Sequence, residues 1–148
     1  MDYLIRKANI NDIKRLSELF TEFIGVESNP IAMKDQLNLI SSNPNYFVAV
    51  ACDGDQVIGT AMAVQCYDLV GNCNPFLLVE NVVVSSAYRG KGTGKLLMKA
   101  IEDFGEEREC SYIILVSGNQ RIQSHDFYKA LGYSSENVGF KKRLKQIS

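Results

Sequence analysis

The residues best placed to do chemistry lie in one stretch, Arg89-Gly90-Lys91-Gly92-Thr93-Gly94-Lys95. Phe76 to Val84 precedes it as an apolar, β-branched run that reads as a buried strand. The run breaks at Ser85-Ser86, and apolar residues return at helical spacing at Leu97, Ala100, Ile101 and Phe104. Strand, glycine-rich turn and helix N-terminus in succession form an anion site. Glycines let backbone N–H groups approach a ligand, and the helix dipole favours negative charge. Arg89 and Lys91 add cationic side chains.

The spacing excludes two common nucleotide motifs. A Walker A loop needs glycine where Arg89 stands, and Leu96 replaces its magnesium-binding hydroxyl. The dinucleotide pattern fails because Lys95 or Leu97 occupies the position of its third glycine. Arg-x-x-Gly-x-Gly remains, as Arg89, Gly92 and Gly94.

Val79-Glu80-Asn81-Val82-Val83-Val84 followed by Tyr88-Arg89-Gly90-Lys91-Gly92-Thr93-Gly94 resembles motif A of the GCN5-related N-acetyltransferases, the GNAT family. Asn119, with Phe127-Tyr128-Lys129-Ala130-Leu131-Gly132-Tyr133, resembles the family's motif B. The resemblance is specific from Leu78 to Tyr133. It implies acetyl-CoA as cosubstrate and an amine of a small molecule or peptide as acceptor. It places the diphosphate on backbone N–H groups of Arg89, Gly90, Lys91, Gly92, Thr93, Gly94 and Lys95. The pantetheine arm would lie along Val82, Val83 and Val84, where family members carry a strand bulge and a gap before the parallel neighbour, here Tyr112 to Val116. Asn119 would hold the coenzyme or cap the following helix.

Direct transfer to an amine needs a base and an acid but no covalent enzyme intermediate. Glu80 is the candidate base, a carboxylate in an apolar run where burial would raise its pKa. An outward-facing charge is the plainer reading of the same residue. Tyr128 matches the family's general acid, near the sulfur of the departing thiolate, although Phe127, Tyr128 and Leu131 also form an apolar helical stripe. His125 stands where the motif has a small residue and reads as packed or partly exposed. The acceptor region corresponds to residues 20–39 and 65–75, with Thr21, Glu22, Glu27, Tyr67 and Asp68 as polar candidates. The competing reading is a non-catalytic acyl-CoA-binding or sensing module of the same fold.

At 148 residues the chain reads as one N-acetyltransferase domain over 1–148. Hydrophobic residues make up 46%, charged residues 22%, and the net charge is −1, so no nucleic-acid footprint is expected. The basic run Lys141-Lys142-Arg143-Leu144-Lys145 reads as a solvated face. No N-terminal apolar region and no stretch of roughly 18 apolar residues suggests a leader or a membrane span, which points to the cytoplasm. Cys52, Cys66, Cys73 and Cys110 form no C-x-x-C pair, and with the lone His125 no zinc set is expected. Homodimers are common in the family.

The expected fold is α/β (α+β), a mixed central sheet flanked by about four helices in the order β-α-α-β-β-β-α-β-α-β. Asn9 or Asn11 caps the first helix and Gly25 ends it. Ser28-Asn29-Pro30 starts the second, which carries Ile31, Leu37 and Ile40. Asp53-Gly54-Asp55 joins the hairpin of Tyr46–Cys52 and Gln56–Cys66. The last helix spans about Gln120 to Leu131, with Gly132 left-handed after it. Tyr133 to Leu144 reads as an extended tail of two short strands.

Overall fold

The computed structural model describes residues 2–146. They fall into two units, one running to Ile114 and one starting at Leu115. The first unit opens with β1 (Leu4–Lys7), a 3-10 turn (Ile10–Asp12), α1 (Ile13–Ile24) and α2 (Pro30–Ser41). It continues through β2 (Tyr46–Asp53), β3 (Gln56–Cys66), β4 (Phe76–Val84), a second 3-10 turn (Ser86–Tyr88) and α3 (Thr93–Glu107). The short strand β5 (Ile113–Leu115) crosses into the second unit, which carries α4 (Ile122–Ala130).

The sheet order is β1-β2-β3-β4-β5, with β1 to β4 antiparallel neighbours. β2 and β3 are buried on both faces, which explains their nearly continuous apolar character. Val48, Val50 and Cys52 join Leu16, Leu19 and Leu37 of α1 and α2 in one core. The alternate residues are small: Ala49 pairs with Ala61 and Ala51 with Gly59. That flat surface admits α3, which buries Leu97, Met98 and Ile101 completely. Each such side chain contributes on the order of 1.5–3 kcal/mol. A Cβ on Gly59 would stand 3.0 Å from the Val83 carbonyl and 3.1 Å from Leu97 Cδ1, so glycine is needed there for close packing.

Local signals act as expected at most boundaries. Gly25 is left-handed at φ 75 after α1, and the Asn29 side chain caps α2 ahead of Pro30. Gly54 takes φ 60 in the two-residue β2–β3 loop. Asn9 caps the 3-10 turn that precedes α1, and its backbone N–H is held by Asp12 in a reciprocal capping box. Of the apolar residues α2 carries, Leu37 is buried and Ile31 is exposed.

The second unit differs more. Gly132 is left-handed at φ 94, and Tyr133 N–H bonds the Tyr128 carbonyl, closing α4. α4 begins at Ile122 rather than at Gln120. The described residues from Tyr133 to Gln146 contain no strand, so the closing strand of the expected order is not found. Val138, Phe140 and Leu144 are 76%, 95% and 93% exposed, so the tail's apolar residues bury no strand face.

Candidate functional site

β4 is bulged where the family resemblance implied a bulge. Met62 pairs with Glu80 and Thr60 with Val83, so Asn81 and Val82 together oppose Ala61. Asn81 takes φ 58, the left-handed geometry of a bulge's first residue, which asparagine tolerates better than most residues. The bulge interrupts the strand's burial pattern at Asn81. Leu77 and Val79 are buried, Glu80 and Asn81 are both exposed, and Val83 is buried again. Glu80 is exposed, as alternation from buried Leu77 and Val79 requires and as the outward-facing reading of this residue has it; the inserted residue brings Asn81 out beside it. Val82 and Val84 are half-buried. On the β5 side, the Leu77 N–H bonds the Tyr112 carbonyl at 3.0 Å, and β5 itself has only three residues.

Beyond β4 the chain is held at several points before the glycines. Ser85 N–H donates to the Ile58 carbonyl at 2.8 Å. Ser86 N–H donates to Glu22 Oε1 at 2.9 Å, a bond that holds the Glu22 carboxyl below the usual range. The Tyr88 hydroxyl donates to Asp53 Oδ2 at 2.7 Å, and its ring meets Tyr3 edge-on at 5.9 Å. Lys91 Nζ lies 5.4 Å from the Tyr88 ring centroid. These bolts fix the strand end while the turn that follows stays unpaired.

Gly90 and Gly92 are left-handed at φ 76 and φ 86. Gly92 stands at the N-cap of α3, and no side chain caps that helix. The first bond into α3 is Leu96 N–H to the Gly92 carbonyl at 3.1 Å. The seven N–H groups from Arg89 to Lys95 have no acceptor among the described residues. A helix start normally satisfies these donors with a cap or a ligand. Thr93 is 1% exposed, and its hydroxyl has no hydrogen-bond partner among the described residues. Unpaired N–H groups, two left-handed glycines and nearby cations fit a diphosphate.

Thr93 gives the first prediction. Replacing a buried, unpaired hydroxyl with an isosteric methyl removes a desolvation cost of about 1 kcal/mol or more. Thr93→Val should raise Tm by about 2–4 °C, read by calorimetry. An unchanged or lowered Tm would mean that the hydroxyl is satisfied.

Within the second unit, Tyr128 is half-buried and packs edge-on against Phe127 at 5.0 Å and Tyr133 at 5.8 Å. Burial pushes its phenol pKa up, which keeps it protonated at neutral pH. Asn119 lies three positions before the first residue of α4, and Arg121 holds the N-cap position without a side-chain cap bond, so Asn119 does not cap that helix. His125 Nε2 lies 2.8 Å from the Gly118 carbonyl and ties the helix to the turn before it.

A model of the acetyltransferase (GNAT) family matches residues 13–133. The chain belongs to the GNAT family. It is 31% identical over 88 residues to streptothricin acetyltransferase of Streptomyces lavendulae, an alignment covering 60% of this chain and 43% of that protein. It is 33% identical over 96 residues to the protein named "Probable glucosamine 6-phosphate N-acetyltransferase" of Drosophila melanogaster, covering 64% and 42%. The chain thus spans less than half the length of either relative. A solved structure titled as a transcriptional regulator from Bacillus halodurans superposes with TM-score 0.91 at 24% identity, covering 97% of this chain and 100% of that one. At that identity the likeness speaks to fold alone.

Most of the polar candidates in residues 20–39 and 65–75 have partners within the fold. Thr21 Oγ1 donates back to the Ser17 carbonyl at 2.9 Å and is occupied within α1. Glu22 is committed to Ser86 and lies 3.7 Å from Arg89 Nη2. Asp68 accepts from Leu69 and Val70 N–H, and Tyr67, 77% exposed, reaches Asn45 with its hydroxyl. Glu27 is exposed. Sequence reasoning missed Tyr88 and Asp53 as supports of the turn, since no local pattern links residues 35 positions apart. Among the described residues no group of His, Cys, Asp or Glu is arranged to hold a metal ion. No described helix is long and apolar enough to cross a membrane.

Proposed function

We propose that this GNAT chain is one N-acetyltransferase domain that moves an acetyl group from acetyl-CoA to an amine of a small molecule or peptide. The observation that carries the reading is the uncapped turn Arg89–Lys95 at the start of α3, with its run of unpaired N–H groups. A family model that runs through both units supports treating them as one domain.

When bound, the coenzyme supplies the acetyl thioester. Backbone N–H groups of Arg89, Gly90, Lys91, Gly92, Thr93, Gly94 and Lys95 hold its diphosphate, with the α3 dipole adding to the attraction. Val82, Val83 and Val84, at and after the bulge, offer backbone groups to the pantetheine amides. Glu80 takes the ammonium proton, and its exposure favours relay through water. Tyr128 gives a proton to the departing thiolate, and its buried phenol stays protonated for that purpose. Asn119 lines the coenzyme rather than capping α4. The two named relatives carry streptothricin and glucosamine 6-phosphate in their names, and both names fit an amine acceptor.

The test is release of free thiol from acetyl-CoA across a panel of amino sugars, polyamines and peptide N-termini. Release with at least one amine class supports transfer; coenzyme binding without release from any amine favours the sensing module. With an acceptor in hand, Glu80→Gln should lower kcat/KM on the order of a hundredfold at neutral pH while leaving the acetyl-CoA Kd unchanged. An unaltered rate and pH profile would assign the proton to another group or to bulk water.

A further inference from the structure

The guanidinium of Arg89 is engaged away from the turn it borders. Its Nε donates to the Val84 carbonyl at 3.3 Å, and its Nη2 lies 3.7 Å from Glu22 Oε1. That same carboxylate oxygen accepts the Ser86 N–H. Val84 is the last residue of β4, so an arm running along the strand meets Arg89 at this carbonyl. The Arg89 side chain is 62% exposed and the Glu22 side chain 34%, which leaves the arginine free to exchange partners.

We propose that Arg89 is a latch on the coenzyme slot: without ligand it is held by the Val84 carbonyl and the Glu22 carboxylate, and a diphosphate in the turn draws it away. This rests on the coenzyme reading above and adds an order of events to it. The seven free N–H groups attract the diphosphate first. Arg89 then exchanges a long contact to one carboxylate for charge-assisted bonds to phosphate oxygens, which are the stronger interaction. Leaving Val84, it opens that carbonyl to an amide of the pantetheine arm. Ligands with a diphosphate gain from the exchange. Ligands without one must break the Arg89–Val84 bond and receive nothing back.

The latch predicts opposite signs for two ligands. Binding of acetyl-CoA and of acetyl-pantetheine, which lacks the diphosphate, is measured on the full chain by NMR titration. Arg89→Gln should weaken acetyl-CoA about tenfold, the worth of a charge-assisted bond. It should tighten acetyl-pantetheine about two- to fivefold, the range of an exposed contact. Glu22→Gln keeps an oxygen for the Ser86 N–H but removes the charge, and should tighten acetyl-CoA about two- to fivefold. If Arg89→Gln weakens both ligands or leaves acetyl-pantetheine unchanged, the latch is overturned and the coenzyme anchor stands. If Glu22→Gln weakens acetyl-CoA, Glu22 supports the site instead of competing for it, and the latch is again overturned. If the unaltered chain does not bind acetyl-CoA, the coenzyme reading fails and the latch fails with it.

Discussion

Gly92→Val should raise the Kd for acetyl-CoA at least tenfold while the protein stays folded. Gly92 holds φ 86 and ψ 1 at the N-cap of α3. Nothing lies within 4 Å of where its Cβ would be, so the penalty is not a clash with neighbours. It is a backbone penalty: a left-handed conformation costs an L-residue roughly 1–2 kcal/mol, and a β-branched one is a true outlier there. The turn escapes the strain by rotating out of the left-handed region, which swings the N–H groups of Thr93 and Gly94 off a common target. An anion site made of backbone donors fails when the donors stop converging. Calorimetric titration reads the result, with Gly92→Ala expected between the two. Tight binding in Gly92→Val would show that the turn is not the anchor.

Tyr128→Phe should lower kcat on the order of a hundredfold, the lower end of what general acid–base groups contribute, and leave the coenzyme Kd unchanged. The exchange deletes one oxygen and keeps the ring contacts with Phe127 and Tyr133. The sign of the pH dependence follows from the shift. The acid works in its protonated form, and burial raises the phenol pKa above its ordinary value of about 10. Activity that depends on Tyr128 is therefore complete at neutral pH and is lost only as pH rises through that raised value. This alkaline limb should vanish in Tyr128→Phe. A variant with full turnover would reassign Tyr128 to packing alone.

Legibility tracked the range of the interaction involved. The anion turn could be read because Gly90 and Gly92 each do a local backbone job that glycine does best, and both are left-handed. Gly25, Asn29 and Gly132 were legible for the same reason. The bulge was available only through the resemblance, since its left-handed residue is Asn81 rather than a glycine. The exposure of Glu80 needs no bulge, since alternation from buried Leu77 and Val79 already turns residue 80 outward. Strict alternation along β4 from buried Leu77 and Val79 would turn residue 81 inward, whereas the inserted residue leaves Glu80 and Asn81 both facing out. The contacts of Glu22 with Ser86 and of Tyr88 with Asp53 join residues 64 and 35 positions apart, which no local periodicity encodes. The tail fails for another reason: alternation at Val138 and Phe140 suggests a strand, but a strand forms only where it has a partner, and those side chains stay exposed.

The central claim is that the Arg89–Lys95 turn anchors coenzyme A. The most direct test is Tm alone and with acetyl-CoA, free coenzyme A, ATP or NAD. A ligand at a hundred times its Kd adds about 2.7 kcal/mol to stability. For a chain of this length that is a rise of several degrees. The account predicts that rise with both coenzyme A species and not with NAD. No rise with either coenzyme A species, or a rise with ATP or NAD alone, would contradict it.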